Sequence, residues 1–201
     1  MAKYMKGNFS FLGIPSPQRR AIQREVLGGR WKPTEPELVA FADTAWARPE
    51  REFQYVACDL VDRGATRMSA AFIDDLERWI TRRSWWDTVD ALAASVGAVV
   101  RSHPEVADRM ELWIDSDDVW LTRAAIIHQL RFKGATDEAR LFRFCLRRGQ
   151  DSEFFIRKAI GWALREYSKT DPAAVTTFVA AHDAELSPLS RREALRRVSP
   201  M

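Results

Sequence analysis

Segments with helical spacing of apolar and polar positions alternate along the chain with short breaks at Pro17, Pro33, Pro49, Gly64, Ser84, Pro104, Asp115-Ser116, Gly134, Asp151-Ser152, Pro172 and Pro188. Each segment puts its apolar side chains on one stripe of a 3.6-residue helix, and the breaks end one stripe before the next begins. The sequence holds no extended run rich in β-branched residues of the kind that marks strands. The pattern predicts an all-α chain.

Five of these segments superpose on a single alanine: Ala57, Ala91, Ala124, Ala159 and Ala194, at spacings of 34, 33, 35 and 35. A period of that length predicts stacked helix pairs, each unable to bury its apolar face alone. We therefore expect one domain over residues 1–201, a HEAT-like repeat solenoid of stacked antiparallel helix pairs with a concave face. The residue before the alanine is Val56, Asp90, Arg123, Lys158 and Glu193 in turn. Four residues before that position stands Trp86 in the second repeat, and four after it Trp162 in the fourth. Equivalent positions on inner helices face one groove, so Trp86, Asp90, Arg123, Lys158 and Trp162 would line it together.

Each residue also has a plainer role. Ser84-Trp85-Trp86-Asp87 fits a capping box, with Ser84 as N-cap and Asp87 at N3. Of the adjacent indoles only Trp86 shares a face with Asp90, so Trp85 is assigned to the core with Trp113 and Trp120. Asp90 interrupts an apolar stretch (Val89, Ala91, Leu92, Ala93). A buried carboxylate needs a partner, and the alternative to a functional role is an interhelical ion pair with Arg123 or Lys158.

Composition narrows the function. The chain has 201 residues, 46% hydrophobic and 29% charged, enough for a substantial core. Residues 123–201 carry 15 Lys/Arg against 9 Asp/Glu, whereas residues 1–122 carry 16 against 19. A basic half suits a polyanionic partner, and equally a solvated helix surface. Cys58 and Cys145 lie in apolar contexts and read as buried thiols of a reducing compartment. His103, His128 and His182 are scattered, so no metal site is expected. With neither a leader-like nor a membrane-spanning apolar run, a cytoplasmic location is expected.

In order along the chain stand Tyr4-Met5-Lys6 with Phe11-Leu12-Gly13-Ile14, Pro49 through Gln54, Ser84 through Asp90, Asp118 through Ala125, Phe154 through Tyr167 and Pro188 through Ala194. With these motifs the chain resembles the AlkD-type DNA alkylation repair glycosylases, a HEAT-like repeat family, from about Met1 to about Val198. The resemblance implies catalysis by Asp90, Trp86 and Trp162, with Tyr4 beside the lesion and Arg123 and Arg165 on the surrounding phosphates. Lys158, basic on the same inner face, joins the expected DNA contacts. The implied partner is double-stranded DNA containing alkylated bases, bound by a monomer without cofactor or metal. Family members usually carry about one further helix ahead of the segment that begins here at Met1, so an N-terminal helix of the family is expected to be missing.

The chemistry suits the residues. Glycosidic hydrolysis usually employs two carboxylates, one of them to protonate the leaving group. A purine already cationic from N3- or N7-alkylation needs no such proton, and one ionised carboxylate suffices for the oxocarbenium-like sugar. The indole faces of Trp86 and Trp162 would add cation–π attraction of roughly 0.5–2 kcal/mol each. The expected activity is that of a monofunctional glycosylase acting in base excision repair, and the resemblance implies recognition without base flipping. The competing readings are a non-catalytic DNA-binding HEAT-like protein and a protein-interaction scaffold; Arg123 and Lys158 on the inner face argue against the scaffold.

Overall fold

The computed structural model describes residues 5–28 and 31–198. It is helical as the periodicity predicts: α1 (Ser16–Val26), α2 (Glu35–Ala47), α3 (Arg51–Gly64), α4 (Phe72–Ile80), α5 (Trp86–Ser102), α6 (Arg109–Ile114), α7 (Val119–Ile127), α8 (Glu138–Arg147), α9 (Phe154–Tyr167), α10 (Pro172–Ala181) and α11 (Pro188–Ala194). Among the described residues the one β-type pairing is an isolated bridge, Ser10 with Glu50. Prolines open helices: Pro17, Pro36, Pro172 and Pro188 each sit in a first turn, where the missing N–H costs nothing. Asp118, Asp137, Asp171 and Ser187 cap α7, α8, α10 and α11 through side-chain acceptors.

The helices form two layers. In the inner layer α3, α5, α7, α9 and α11 pack one on the next, and each leans on the even-numbered helix before it. The five register alanines all fall in this layer. Ala57, Ala124, Ala159 and Ala194 are fully buried, and Ala91 is half-buried. Small side chains there let neighbouring axes approach. The closest approaches are at glycine: a Cβ on Gly97 would meet the His128 carbonyl oxygen at 2.1 Å, and one on Gly161 would meet Glu193 Cβ at 2.5 Å. One continuous apolar core runs from Leu38 on α2 to Ala194 on α11.

The outer layer carries a second register that the alanines do not reveal. Asp43, Glu77 and Glu111, at 34-residue intervals, each accept from the next outer helix. Asp43 takes Arg78 and Trp79 Nε1 (2.8 Å), Glu77 takes Arg109 (3.1 Å) and Trp113 Nε1 (3.1 Å), and Glu111 takes Arg140 (3.3 Å) and Arg143. Arg140 and Arg143 belong to the basic half, so part of its surplus is neutralised within the outer layer. Cys58 and Cys145 are buried free thiols, as expected, and burial pushes both upward in pKa. Among the described residues no helix is long and apolar enough to cross a membrane.

Candidate active site

Asp90 projects from α5 one turn after Trp86, and its carboxylate is gripped from the next inner helix. Arg123 on α7 donates Nε to Oδ1 at 2.7 Å and Nη2 to Oδ2 at 2.9 Å. Its remaining Nη1 donates to the Phe155 carbonyl at 2.7 Å, the start of α9. The guanidinium carbon lies 6.0 Å from the ring centroid of Trp162, also on α9. Three successive inner helices are thus tied together through Arg123, and the repeat of about 34 residues is what brings them level. Of the two partners considered for Asp90, the structure selects Arg123.

The pair is only partly shielded: the Asp90 side chain keeps 17% of its exposure, and that of Arg123 keeps 6%. Burial raises the Asp90 pKa above the ordinary carboxylate value, the hydrogen bonds and charge of Arg123 pull it back, and the charge of Asp87 pushes it up again. Trp86 and Trp162 are each half-buried, with part of each indole left toward solvent.

The other expected residues fall elsewhere. Arg123 is turned inward, so in the free protein its donors go to Asp90 and the Phe155 carbonyl and not to a surface phosphate. Lys158 and Arg165, both on α9, are held by Glu193 of α11 and do not touch Asp90. Tyr4 lies outside the described residues; Met5 beside it is buried. Trp113 is core as expected, but Trp85 and Trp120 are half-buried. They form an aromatic cluster with Phe155 at the starts of α5, α7 and α9, with centroids 4.9–5.7 Å apart.

The capping box needs correcting. The N-cap of α5 is Trp85, without a side-chain cap bond, and the Ser84 hydroxyl donates back to the Ile80 carbonyl at 2.6 Å. Asp87 is instead the partner of Arg51, a fully buried arginine on α3. Arg51 donates to Asp87 from Nε (3.0 Å) and Nη2 (2.6 Å), to the Arg83 carbonyl (2.8 Å) and to the Thr88 hydroxyl (2.8 Å). The Tyr55 hydroxyl donates to the same carboxylate at 2.6 Å, and burial with that bond raises the Tyr55 pKa. This network fixes the start of α5, and with it the helix turn that presents Trp86 and Asp90. Reading the sequence missed Arg51; its signal is that it precedes Asp87 by 36 residues, close to one repeat.

Glu52, next to Arg51, occupies in α3 the place of Trp86 in α5. It accepts the backbone amides of Leu12 (3.0 Å), Gly13 (2.9 Å) and Ile14 (3.3 Å), and the Phe9 ring lies 3.8 Å from the Arg51 guanidinium carbon. The first repeat therefore uses the equivalent positions to bind its own N-terminal segment. Gly13, at φ +81°, supplies the left-handed turn that aims successive amides at one carboxylate.

The family model described as DNA alkylation repair enzyme matches residues 1–198. Among solved structures, the chain is similar to a predicted DNA alkylation repair enzyme from Enterococcus faecalis, at 33% identity and a TM-score of 0.91, covering 100% of this chain and 94% of that one. It is also similar to AlkD2 from Streptococcus mutans, at 14% identity and a TM-score of 0.71, covering 99% and 98% of the two chains. A third similar structure, smu.31 from Streptococcus mutans UA159, has 14% identity and a TM-score of 0.69, covering 90% and 92%. The two more distant likenesses show the fold alone. No curated protein matches the sequence.

Proposed function

The chain belongs to the DNA alkylation repair enzyme family, and from that premise we propose that it is a monofunctional DNA glycosylase acting on cationic N3- and N7-alkylated purines in duplex DNA. The observation that carries the reading is the placement of Asp90: a single carboxylate, still open to solvent at one edge, held in a bidentate grip by Arg123, whose guanidinium lies against the Trp162 ring.

That arrangement fits a leaving group which is already charged. As the bond from C1′ to the purine nitrogen breaks, its electron pair neutralises the cationic base, and positive charge passes to the sugar. Asp90, ionised against its Arg123 partner, stabilises that charge where it develops, in a site of low dielectric. A water aligned by the same carboxylate adds its oxygen to C1′ and gives up a proton through Asp90 to solvent. The product is an abasic site on an intact strand. Trp162 and Trp86 present faces to the cationic base and sugar. Arg123 acts through Asp90 as a positioning residue, and Lys158 and Arg165 on α9 are the candidate phosphate contacts, with Tyr4 near the lesion.

An interhelical tie without catalysis would show the same Asp90–Arg123 pair, which is the non-catalytic reading of this fold. Single-turnover release of N7-methylguanine from methylated duplex separates the two. The wild-type protein is expected to release the base and Asp90→Asn to fail; a folded wild-type protein that releases none is a DNA-binding relative and not a glycosylase.

A further inference from the structure

Glu193 holds, in the fifth inner helix, the place that Asp90, Arg123 and Lys158 hold in the three before it, and it turns its carboxylate back onto α9. One oxygen lies 3.0 Å from Lys158 Nζ, and the other accepts from Arg165 Nη1. One carboxylate therefore bridges two cations a full two turns apart, and it is the least exposed of the three: 13%, against 38% for Lys158 and 22% for Arg165. The hydrogen bond from Lys158, with those from Arg165 and both charges, outweighs burial and keeps Glu193 below the ordinary carboxylate pKa. It is thus ionised at neutral pH.

To a pair of cations, a carboxylate and a phosphodiester offer the same thing: two oxygens sharing one negative charge. We propose that in the free protein Glu193 stands in for a backbone phosphate of duplex DNA, and that a phosphate replaces it on Lys158 and Arg165 when DNA binds. This rests on the reading of α9 as a face that meets DNA.

Packing decides what moves. Helix α11 sits on Gly161 so tightly that a Cβ there would lie 2.5 Å from Glu193 Cβ and 3.0 Å from the Ser190 carbonyl oxygen. The Ser190 hydroxyl donates to the Arg157 carbonyl at 3.0 Å. The backbone of α11 is therefore pinned, and release of the cations is a rotation of the Glu193 side chain. Until that rotation occurs, undamaged DNA meets a neutralised stretch of α9, which holds down non-specific binding.

The test is fluorescence-anisotropy binding of an undamaged duplex across a salt series, with wild type, Glu193→Gln, Lys158→Gln/Arg165→Gln and the triple variant. Glu193→Gln is expected to bind about three- to tenfold tighter at ~50 mM salt, with the slope of log K against log salt steeper by about 0.9, one phosphate contact. In the Lys158→Gln/Arg165→Gln background the same change is expected to gain nothing, because its beneficiaries are gone. An unmoved affinity and slope in folded Glu193→Gln, or an equal gain in both backgrounds, overturns the proposal. If Glu193→Gln does not fold, Glu193→Asp replaces it: the charge stays, the reach shortens, and a smaller gain of the same sign is expected. Should Lys158→Gln/Arg165→Gln bind as wild type does, the reading of α9 fails and takes the proposal with it; weakened binding there with an inert Glu193→Gln removes the proposal alone.

Discussion

Asp90 carries both the chemistry and a share of the stability, and the two can be separated. Asp90→Asn keeps the shape and removes the charge, so excision is expected to fall about 10²–10³-fold, the scale of losing one preorganised electrostatic group. It also leaves the Arg123 guanidinium facing a neutral amide, and a loss of about 1–3 kcal/mol in denaturant unfolding is expected with it. A wild-type single-turnover rate at a temperature where the variant is folded would remove Asp90 from the mechanism. The pKa gives an independent check. Burial raises Asp90, and the active form is the ionised one; activity should therefore decline with falling pH around a midpoint above that of an ordinary carboxylate. Arg123→Gln should move this acid limb further upward, since the group opposing burial is gone. A limb that stays put in Arg123→Gln would mean that the pair does not tune the carboxylate. At this scale the sequence showed that Asp90 needed a partner and offered two; helix phase alone could not choose between them. Asp87 was misread for a physical reason: Ser84 and Asp87 have capping-box spacing, and the arginine that claims Asp87 is 36 residues away.

Helices meet at positions where a single carbon decides the fit. Gly97→Ala would drive a Cβ into the His128 carbonyl oxygen, a backbone atom that cannot swing aside, and about 1–3 kcal/mol of stability should be lost as α5 and α7 separate. A thermal melt and the excision rate should fall together, because the same two helices set Asp90 against Arg123; a stable variant with full activity would show that the inner layer yields freely. Beneath α5, Arg51→Leu leaves the Asp87 carboxylate buried without its cation, at a cost of about 3–5 kcal/mol, and Arg51→Leu/Asp87→Asn should recover much of it. Denaturant unfolding of both variants measures this, and additive losses would deny the pairing. The inner register was legible because alanine recurs where axes approach closely. The outer register of Asp43, Glu77 and Glu111 was equally periodic but hidden, since acids are frequent on every solvated helix and nothing in the sequence marks these three as accepting arginines, and the first two indole N–H groups as well, from the next outer helix.

Over the whole molecule, charge governs what is bound and what is cut. If the site acts only on leaving groups that are already cationic, matched duplexes differing in one lesion should show release of N3- and N7-alkylpurines, including bulky ones, and none of uracil, hypoxanthine or 1,N6-ethenoadenine. Efficient uracil release would reveal a base-reading pocket and overturn the open-groove mechanism. Fold class and repeat number were legible along the chain because stacked repeats depend on near-neighbour patterns. The distribution of charge was less so: the surplus of the basic half meets acids from other repeats, such as Glu111 with Arg140 and Arg143, and this cancellation exists only in three dimensions. One further consequence lies in Arg123, which reaches back to α5 for Asp90 and forward to α9 for the Phe155 carbonyl. Repeat arrays commonly gain and lose units during descent, since each unit touches only its neighbours. Here the span from α5 to α9 is tied through one arginine, so a duplication or deletion within it would part Asp90 from Arg123 or Arg123 from Trp162, whereas a unit added beyond either end of the array would leave those contacts in place.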